Sequence, residues 1–332
     1  MNQRITPDGK KRVLIIKTGY GETLDSDNSG VVSLGDILRT TVILHLYPSE
    51  AYHVTWLVDP KGAPLLRGNP MIHRLLTVNH FTPHLLLSES FDIVINFEKD
   101  PGICSVADRI PAWRRFGFRL ESWTHDAVSY DHSDEALAMT YDMDVKKRKQ
   151  KSWSDVLYEM VGHVYQGQPY VLGYQPQSKS SIDVGLNHQI GKKFPLKRWP
   201  EESWNRLGKN LSRDFSVSWQ QGTKDIEGYF EWISSCRMLV TNDSLGLHIA
   251  LGLGKPVVAL FGPTIASELD YPGLVKLTPS LNWDCIPCLE SKCIQDSPCM
   301  NFIDVKEVIK EVHGLLTVQE SALRYMVQER AL

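Results

Sequence analysis

The sequence predicts an α/β protein of two domains, each built on a parallel sheet. Three observations carry this. Apolar runs of strand length alternate with helical patterns. The alternation occurs in the first half of the chain and again in the second. The length of 332 residues suits about two domains at roughly 100–200 residues each.

The first strand is Val13-Leu14-Ile15-Ile16, the second His53 to Val58 and the third Phe91 to Asn96. A helical pattern from Asp36 to Leu46, ended by Tyr47-Pro48, joins the first two. That order reads as a βαβ unit. In the second half, Ile182 to Leu186 is a strand. Pro200 to Leu211 is a helix that opens on a proline, where the missing N–H costs nothing. Phe215 to Trp219 is a strand, Ile226 to Ser234 a helix and Met238 to Thr241 a strand. Ser244 to Leu253 is a helix stopped by Gly254, and Val257 to Phe261 is the next strand. The domains are set at residues 1–170 and 180–332, with the Gln- and Ser-rich stretch from Gln166 to Ser181 as linker. Residues 121–151 read as a polar surface excursion ending in Lys146-Lys147-Arg148-Lys149, or else as a lid or acceptor loop. The last helix, Val305 to Arg330, carries Val308, Ile309, Val312, Leu315 and Leu316 at helical spacing. It packs either on its own domain or back onto the first.

Composition narrows the function. Hydrophobic residues are 42% and charged residues 23%, which excludes a disordered chain. No run nears the ~20 apolar residues of a membrane span. The net charge of −3 argues against nucleic acid as partner and allows at most peripheral membrane association. The polar start, Met1 to Arg12, lacks an apolar signal core, so a cytoplasmic location is expected. Six cysteines in such a chain do not read as a disulfide framework.

Two strand-end segments carry the chemistry. Val240 to His248 and Leu260 to Thr264 both sit where a strand gives way to a helix or turn. Ligands of open parallel sheets bind there. Asn242, Asp243 and Ser244 are N-cap types, and a helix start offers N–H groups to a phosphate. His248 lies one turn inside, as a crevice residue or a core histidine. Gly262 permits close backbone approach, Pro263 follows it, and Thr264 adds a hydroxyl. Lys197 and Arg198, just before a helix, face the same phosphates or are surface charges. In the first half, Asp36 is placed as an N-cap, and also where it can take a proton from a hydroxyl nucleophile. Lys17 and Thr18 end the first strand nearby.

These stretches together resemble glycosyltransferase family 9, the ADP-heptose:lipopolysaccharide heptosyltransferases. The resemblance rests on Val13–Lys17, Gly35-Asp36 with Arg39-Thr40-Thr41, and Trp56 to Asp59 with Pro64-Leu65-Leu66 and Gly68-Asn69-Pro70. It continues through Lys197 to Pro200, Asn242-Asp243-Ser244 with His248, and Phe261 to Thr264. It implies a GT-B fold, with two Rossmann-like domains facing across a cleft. The first would take the acceptor and the second a nucleotide-diphospho-sugar. It implies inverting transfer with no catalytic cofactor. It places the general base on Asp36, a phosphate contact on Lys197 and the nucleotide loop on Asp243, Ser244 and His248. Lys17, Gly262, Pro263 and Thr264 complete the expected donor contacts. The acceptor is a glycan, with the lipopolysaccharide inner core as the family default, or a protein serine, or a small molecule. A sugar-nucleotide epimerase, using Glu98 and Asp100, and a non-catalytic binding module are the rivals. Two departures stand out. Leu245 occupies the place of the family's small residue, with Gly246 one later. Gly19 to Gly35 replaces a short turn.

Two metal patterns remain. Asp25, Asp27, Ser29, Gly30 and Asp36 match calcium-loop spacing, but a strand precedes them and the last position is Asp, so calcium is not expected. Cys285, Cys288, Cys293 and Cys299, in loop 285–299, suit a closed structural site for zinc or iron, or else a reduced or partly disulfide-bonded loop that only packs. Cys104 and Cys236 look inert.

Overall fold

A computed structural model describes residues 9–20, 31–148, 151–222 and 225–329. The chain divides into two compact units, residues 1–175 with 267–269, and residues 176–266 with 270–332.

The first unit runs β1 (Lys11–Ile16), α1 (Leu34–Thr40), β2 (Tyr52–Val58), α2 (Ala63–Leu66), β3 (Arg74–Thr77), α3 (Thr82–Leu87), β4 (Phe91–Asn96), α4 (Pro101–Arg109) and β5 (Ala112–Leu120). It continues with β6 (Ala127–Ser129), α5 (Asp134–Tyr141), α6 (Met143–Arg148) and α7 (Trp153–Glu159). The sheet order is β3-β2-β1-β4-β5-β6, parallel except for β6. Val13 to Ile16 are fully buried because β1 is central and covered on both faces. Leu14 and Ile16 pack on one face with Leu86, Phe91, Val94, Ala107 and Ile110. The chain moves outward from β1 to β3 and then returns to lay β4 on the other side of β1. The carboxyl ends of β1 and β4 therefore flank a switch point, where parallel sheets bind ligands.

The second unit runs β7 (Ile182–Asn187), α8 (Glu201–Leu211), β8 (Val217–Trp219), α9 (Ile226–Ser235), β9 (Cys236–Asn242), α10 (Leu245–Gly252), β10 (Val257–Leu260), β11 (Leu274–Leu277) and α11 (Val305–Glu329). All neighbours in the order β11-β10-β9-β7-β8 are parallel. Its switch point lies between β7 and β9. Trp204, Leu207 and Leu211 of α8 join Val305, Val308, Val312 and Leu316 of α11 in one core. The described part of the last helix thus packs on its own unit.

Several local expectations change. The helix from Asp36 to Leu46 is α1 followed by a tighter 3-10 turn, Thr41–Leu46. Thr40 and Thr41 donate their hydroxyls to the Asp36 and Leu38 carbonyls, both at 2.7 Å, and such back-bonding disturbs a helix. Ser33, not Asp36, is the N-cap of α1. Pro200 is the N-cap of α8 rather than its first residue. Residues 121–151 are not a mere excursion. They contain β6, α5 and α6, and Ser133, Ala136 and Met139 are buried. β3, β5, β6 and β11 were not expected. In β5 the pattern Trp-Arg-Arg-Phe-Gly masks the apolar alternation. The calcium-like positions Asp25, Asp27, Ser29 and Gly30 lie outside the described residues, as does Lys149.

Candidate active-site residues

In the second unit, Asn187 ends β7 and Asn242 ends β9, one on each side of the switch point. The fully buried Asn187 amide donates to Thr241 Oγ1 at 2.7 Å and to Ser244 Oγ at 2.9 Å. Its Oδ1 accepts the Tyr229 hydroxyl at 2.6 Å. A Cβ on Gly246 would strike Asn187 and Tyr229. This accounts for a glycine at 246 whatever occupies 245. Ser244 is the N-cap of α10, yet its side chain makes no cap bond. Asn187 holds it instead. The first N–H groups of α10 are therefore left without a side-chain cap, which suits an anion.

Lys197 ends a short 3-10 turn, and its Nζ lies 2.9 Å from Asp243 Oδ2. Burial alone would raise the Asp243 carboxyl. Lys197, and then His248, outweigh burial and hold it at about 2. His248 is buried, one turn into α10. Asp243, Lys197 and His248 thus form one cluster, with Ser244 at its edge. Thr264 follows β10 and adds the smallest share to the lowering at Asp243. Gly262 and Pro263 form the turn before it. A Cβ on Gly262 would stand 2.6 Å from Met300 Sδ and 2.9 Å from Cys299 Sγ. The Leu289 N–H donates to the Pro263 carbonyl at 2.8 Å. The cysteine loop therefore packs directly under this turn.

The chemistry of four thiols on one loop suits a soft metal ion. Burial, and then Cys288, Cys293 and Cys285, push the Cys299 thiol up to about 11. The four are thus near one another. Even so, among the described residues no three His, Cys, Asp or Glu side chains converge in a metal-holding group. As arranged, Cys285, Cys288, Cys293 and Cys299 do not fit one.

In the first unit, Lys17 follows β1 and Glu98 lies two residues beyond β4. Asp36 sits in the first turn of α1, 3% exposed. Its Oδ2 pairs with Lys17 Nζ, and its Oδ1 accepts from Arg39 Nε at 2.8 Å. Burial would raise the Asp36 carboxyl, but Lys17 and Arg39 drive it far below the usual carboxylate range. Lys17 also lies 3.5 Å from Glu98 Oε1. That oxygen accepts the Thr18 and Gly19 N–H groups, both at 2.7 Å. Burial lowers the Lys17 ammonium, and Asp36 and Glu98 more than reverse this. Arg39 is held further by Glu268 at 3.1 Å and lies over the Trp153 ring at 4.7 Å. Lys146 reaches Glu268 at 3.2 Å. Asp100, by contrast, caps α4 by accepting the Ile103 N–H at 3.0 Å.

Sequence reasoning placed Lys17 with Asp36 and Lys197 with Asp243. It named Glu98 only as a carboxylate of the rival epimerase, and it missed Asn187 and Tyr229 behind Ser244 and Glu268 and Trp153 around Asp36. Glu98 carried a usable signal, being just past a strand's carboxyl end. Glu268 carried none, since it meets Arg39 across 229 positions.

Three comparisons bear on these clusters. The family model of glycosyltransferase family 9 (heptosyltransferase) matches residues 221–297. Lipooligosaccharide heptosyltransferase 2 of Campylobacter jejuni is 30% identical over 87 residues, which span 26% of this chain and 28% of that protein's length. Among solved structures, a family 9 glycosyltransferase from Veillonella parvula aligns with TM-score 0.65 at 19% identity, over 92% of this chain and 97% of that one. TibC of enterotoxigenic E. coli, an iron-containing dodecameric heptosyltransferase solved with ADP-D-beta-D-heptose, aligns with TM-score 0.53 at 12% identity, over 93% and 77%. The fold is that of these enzymes, with two Rossmann-like α/β units of the GT-B class. Among the described residues, no helix is long and apolar enough to cross a membrane.

Proposed function

We propose that the chain is a member of glycosyltransferase family 9, an inverting transferase that moves heptose from ADP-heptose to a hydroxyl. The observation that carries the donor half is the start of α10. Its N-cap hydroxyl is drawn away by Asn187, and Lys197 stands beside it. Those N–H groups and Lys197 are suited to the charge that builds on a departing diphosphate. Gly262, Pro263 and Thr264 border the nucleotide in this reading, His248 steadies Asp243, and Lys17 adds positive charge toward the diphosphate.

Asp36 is the proposed base. It takes the proton of the acceptor hydroxyl as that oxygen bonds to the anomeric carbon. The bond from that carbon to the diphosphate breaks, and its electron pair leaves with the nucleoside diphosphate. Attack from the face opposite the leaving group inverts the centre. No catalytic cofactor enters this scheme. The acceptor we favour is the lipopolysaccharide inner core, consistent with the lipooligosaccharide enzyme among the relatives. A protein serine or a small-molecule hydroxyl would be served by the same chemistry. A cytoplasmic location, where nucleotide sugars are made, fits this role.

The test has two parts. ADP, UDP, GDP and CMP are compared for their shift of the melting temperature, with ADP expected to give the largest. ADP-heptose is then offered with heptose-deficient lipopolysaccharide, a serine-rich peptide or a monosaccharide. Transfer to one of them, abolished in Asp36→Asn, is expected. Near-full activity of Asp36→Asn would remove the base assignment. A structural iron or zinc on Cys285, Cys288, Cys293 and Cys299 is a separate proposal: the thiols do not converge as arranged, so it requires the loop to draw them together, and the iron of TibC supports it. Less than about a tenth of an equivalent of either metal after anaerobic purification would end it.

A further inference from the structure

The resting arrangement around Asp36 poses a problem for a base. Both carboxylate oxygens are occupied, Oδ1 by Arg39 and Oδ2 by Lys17. A carboxylate clamped between two cations has little affinity for a proton. One cation has to yield before Asp36 can accept one.

Arg39 is poorly placed to move. It is held by Asp36, by Glu268 at 3.1 Å and by the Trp153 ring. Glu268 is itself held by Lys146. Lys17 is different. Its ammonium is a point charge on a flexible stem, and a second carboxylate, Glu98 Oε1, lies 3.5 Å away. Glu98 is fully buried and cannot follow it. Two backbone N–H groups fix its Oε1. The Glu98 N–H donates to Asn96 Oδ1 at 3.0 Å, and its carbonyl accepts from the Asn96 amide at 3.0 Å and the Cys104 thiol at 3.2 Å. The Lys17 side chain is only 5% exposed. Leaving Asp36 with no other anion at hand would strand a buried charge, which is strongly unfavourable.

We infer that Glu98 is a positioning residue for proton transfer: it receives the Lys17 ammonium and so uncovers Asp36 Oδ2, the oxygen that takes the acceptor proton. This rests on the reading of Asp36 as base. It divides the labour within the cluster. Arg39 keeps Oδ1 and fixes the carboxylate plane, while Lys17 alternates between two carboxylates without ever being unpaired. The charged groups facing Asp36 are Lys17 and Arg39, with Glu98, Lys99, Lys146 and Glu268 behind them.

The test is Glu98→Gln, which keeps an oxygen for the Thr18 and Gly19 N–H groups but removes the charge. The probes are ADP-heptose and whichever of the three acceptors wild type uses. The expected result is a fall in kcat of about tenfold, part of the roughly 10²–10⁴-fold that a general base supplies, with the KM for ADP-heptose unchanged. The acid limb of the kcat profile moves to lower pH, because Lys17 stays on Asp36 and a neighbouring negative charge is gone. A purely structural role would lower the melting temperature and leave that limb in place. As a second variant, Glu98→Gln is made on a Lys17→Met background, where no buried ammonium lacks a partner. There it should change kcat less than twofold relative to Lys17→Met alone. An unchanged kcat and acid limb in Glu98→Gln, or an equal tenfold loss on the Lys17→Met background, overturns the inference. Full activity of Asp36→Asn, or no transfer by wild type to any acceptor, defeats the underlying reading and the inference with it.

Discussion

Lowering the pH should weaken the second unit through one group whose contribution can be worked out. Asp243 has an ordinary carboxyl value of 3.8 and a value of about 2 in the fold. A folded value below the unfolded one stabilises above the unfolded value, and that stability is lost as pH falls toward the folded value. A gap of nearly two pH units, at about 1.4 kcal/mol per unit, amounts to about 2 kcal/mol at neutral pH. Linkage with the same two values leaves about half of this at pH 3, so about 1 kcal/mol disappears between pH 7 and pH 3. Both partners are well shielded, with side-chain exposures of 13% and 15%, so salt should change this little. The assay is urea unfolding of the protein with and without Asp243→Asn at both pH values. Lys197 stays charged throughout, and both proteins carry His248→Gln, so that an imidazole gaining charge in this range next to Asp243 does not enter the comparison. The stability advantage of the protein that keeps Asp243 should therefore shrink by about 1 kcal/mol at pH 3. An advantage that is constant, or that grows on acidification, would refute the reasoning about Lys197 and Asp243.

Two further outcomes follow from packing. Gly262→Ala places a methyl 2.6 Å from Met300 Sδ and 2.9 Å from Cys299 Sγ, so a loss of about 1–3 kcal/mol is expected; thermal unfolding reads it, and a smaller ADP-induced shift shows that the turn has moved. Leu316→Ala empties a position that is 2% exposed in the second core, so about 2–5 kcal/mol should be lost. A stability change under about 0.5 kcal/mol, the scale of surface substitutions, would mean that the last helix does not pack on its own unit in solution.

Packing and site chemistry meet at two places. Gly246 has no room for a side chain because Asn187 and Tyr229 stand against it, and the same Asn187 holds the Ser244 hydroxyl away from the helix start. The buried pair that supports β7 and α9 thus also keeps the end of α10 proposed to bind the diphosphate without a side-chain cap. Similarly, the Leu289 and Cys299 contacts tie the shape of the Gly262–Pro263 turn to the cysteine loop. Any change in that loop is transmitted to the turn proposed to border the nucleotide.

The strands that were legible in sequence are those buried on both faces. Val13 to Ile16 and Val257 to Leu260 are unbroken apolar runs, and central parallel strands demand such runs. Most strands nearer the sheet edges escaped, although the edge strand β8 was expected over Phe215 to Trp219. β5 carries arginines at 114, 115 and 119, and β11 is four residues long and only part-buried until its last position. Helix ends in the second unit were placed to within a residue or two, but α1 stops at Thr40 rather than Leu46, α2 to α7 were not expected, and the N-cap assignments were not met. Ser33 and Asp36 are both suitable types, and only the ion pairs to Lys17 and Arg39 show which one faces inward.

Sequence alone determined the class of fold, since periodicity and punctuation are local and each strand or helix announces itself within about ten residues. It also determined which chemical groups lie at strand ends, because parallel topology sends every such end to one edge of its sheet. Tertiary structure decided how those groups are engaged. Whether Asp36 stands free or between two cations, whether Ser244 caps its helix or is held by Asn187, and whether Glu98 has work to do all depend on residues 3 to 229 positions apart. Electrostatic interactions weaken with distance in space and take no account of separation along the chain. The state of the site is therefore a property of the folded arrangement, and the composition of the site is a property of the sequence.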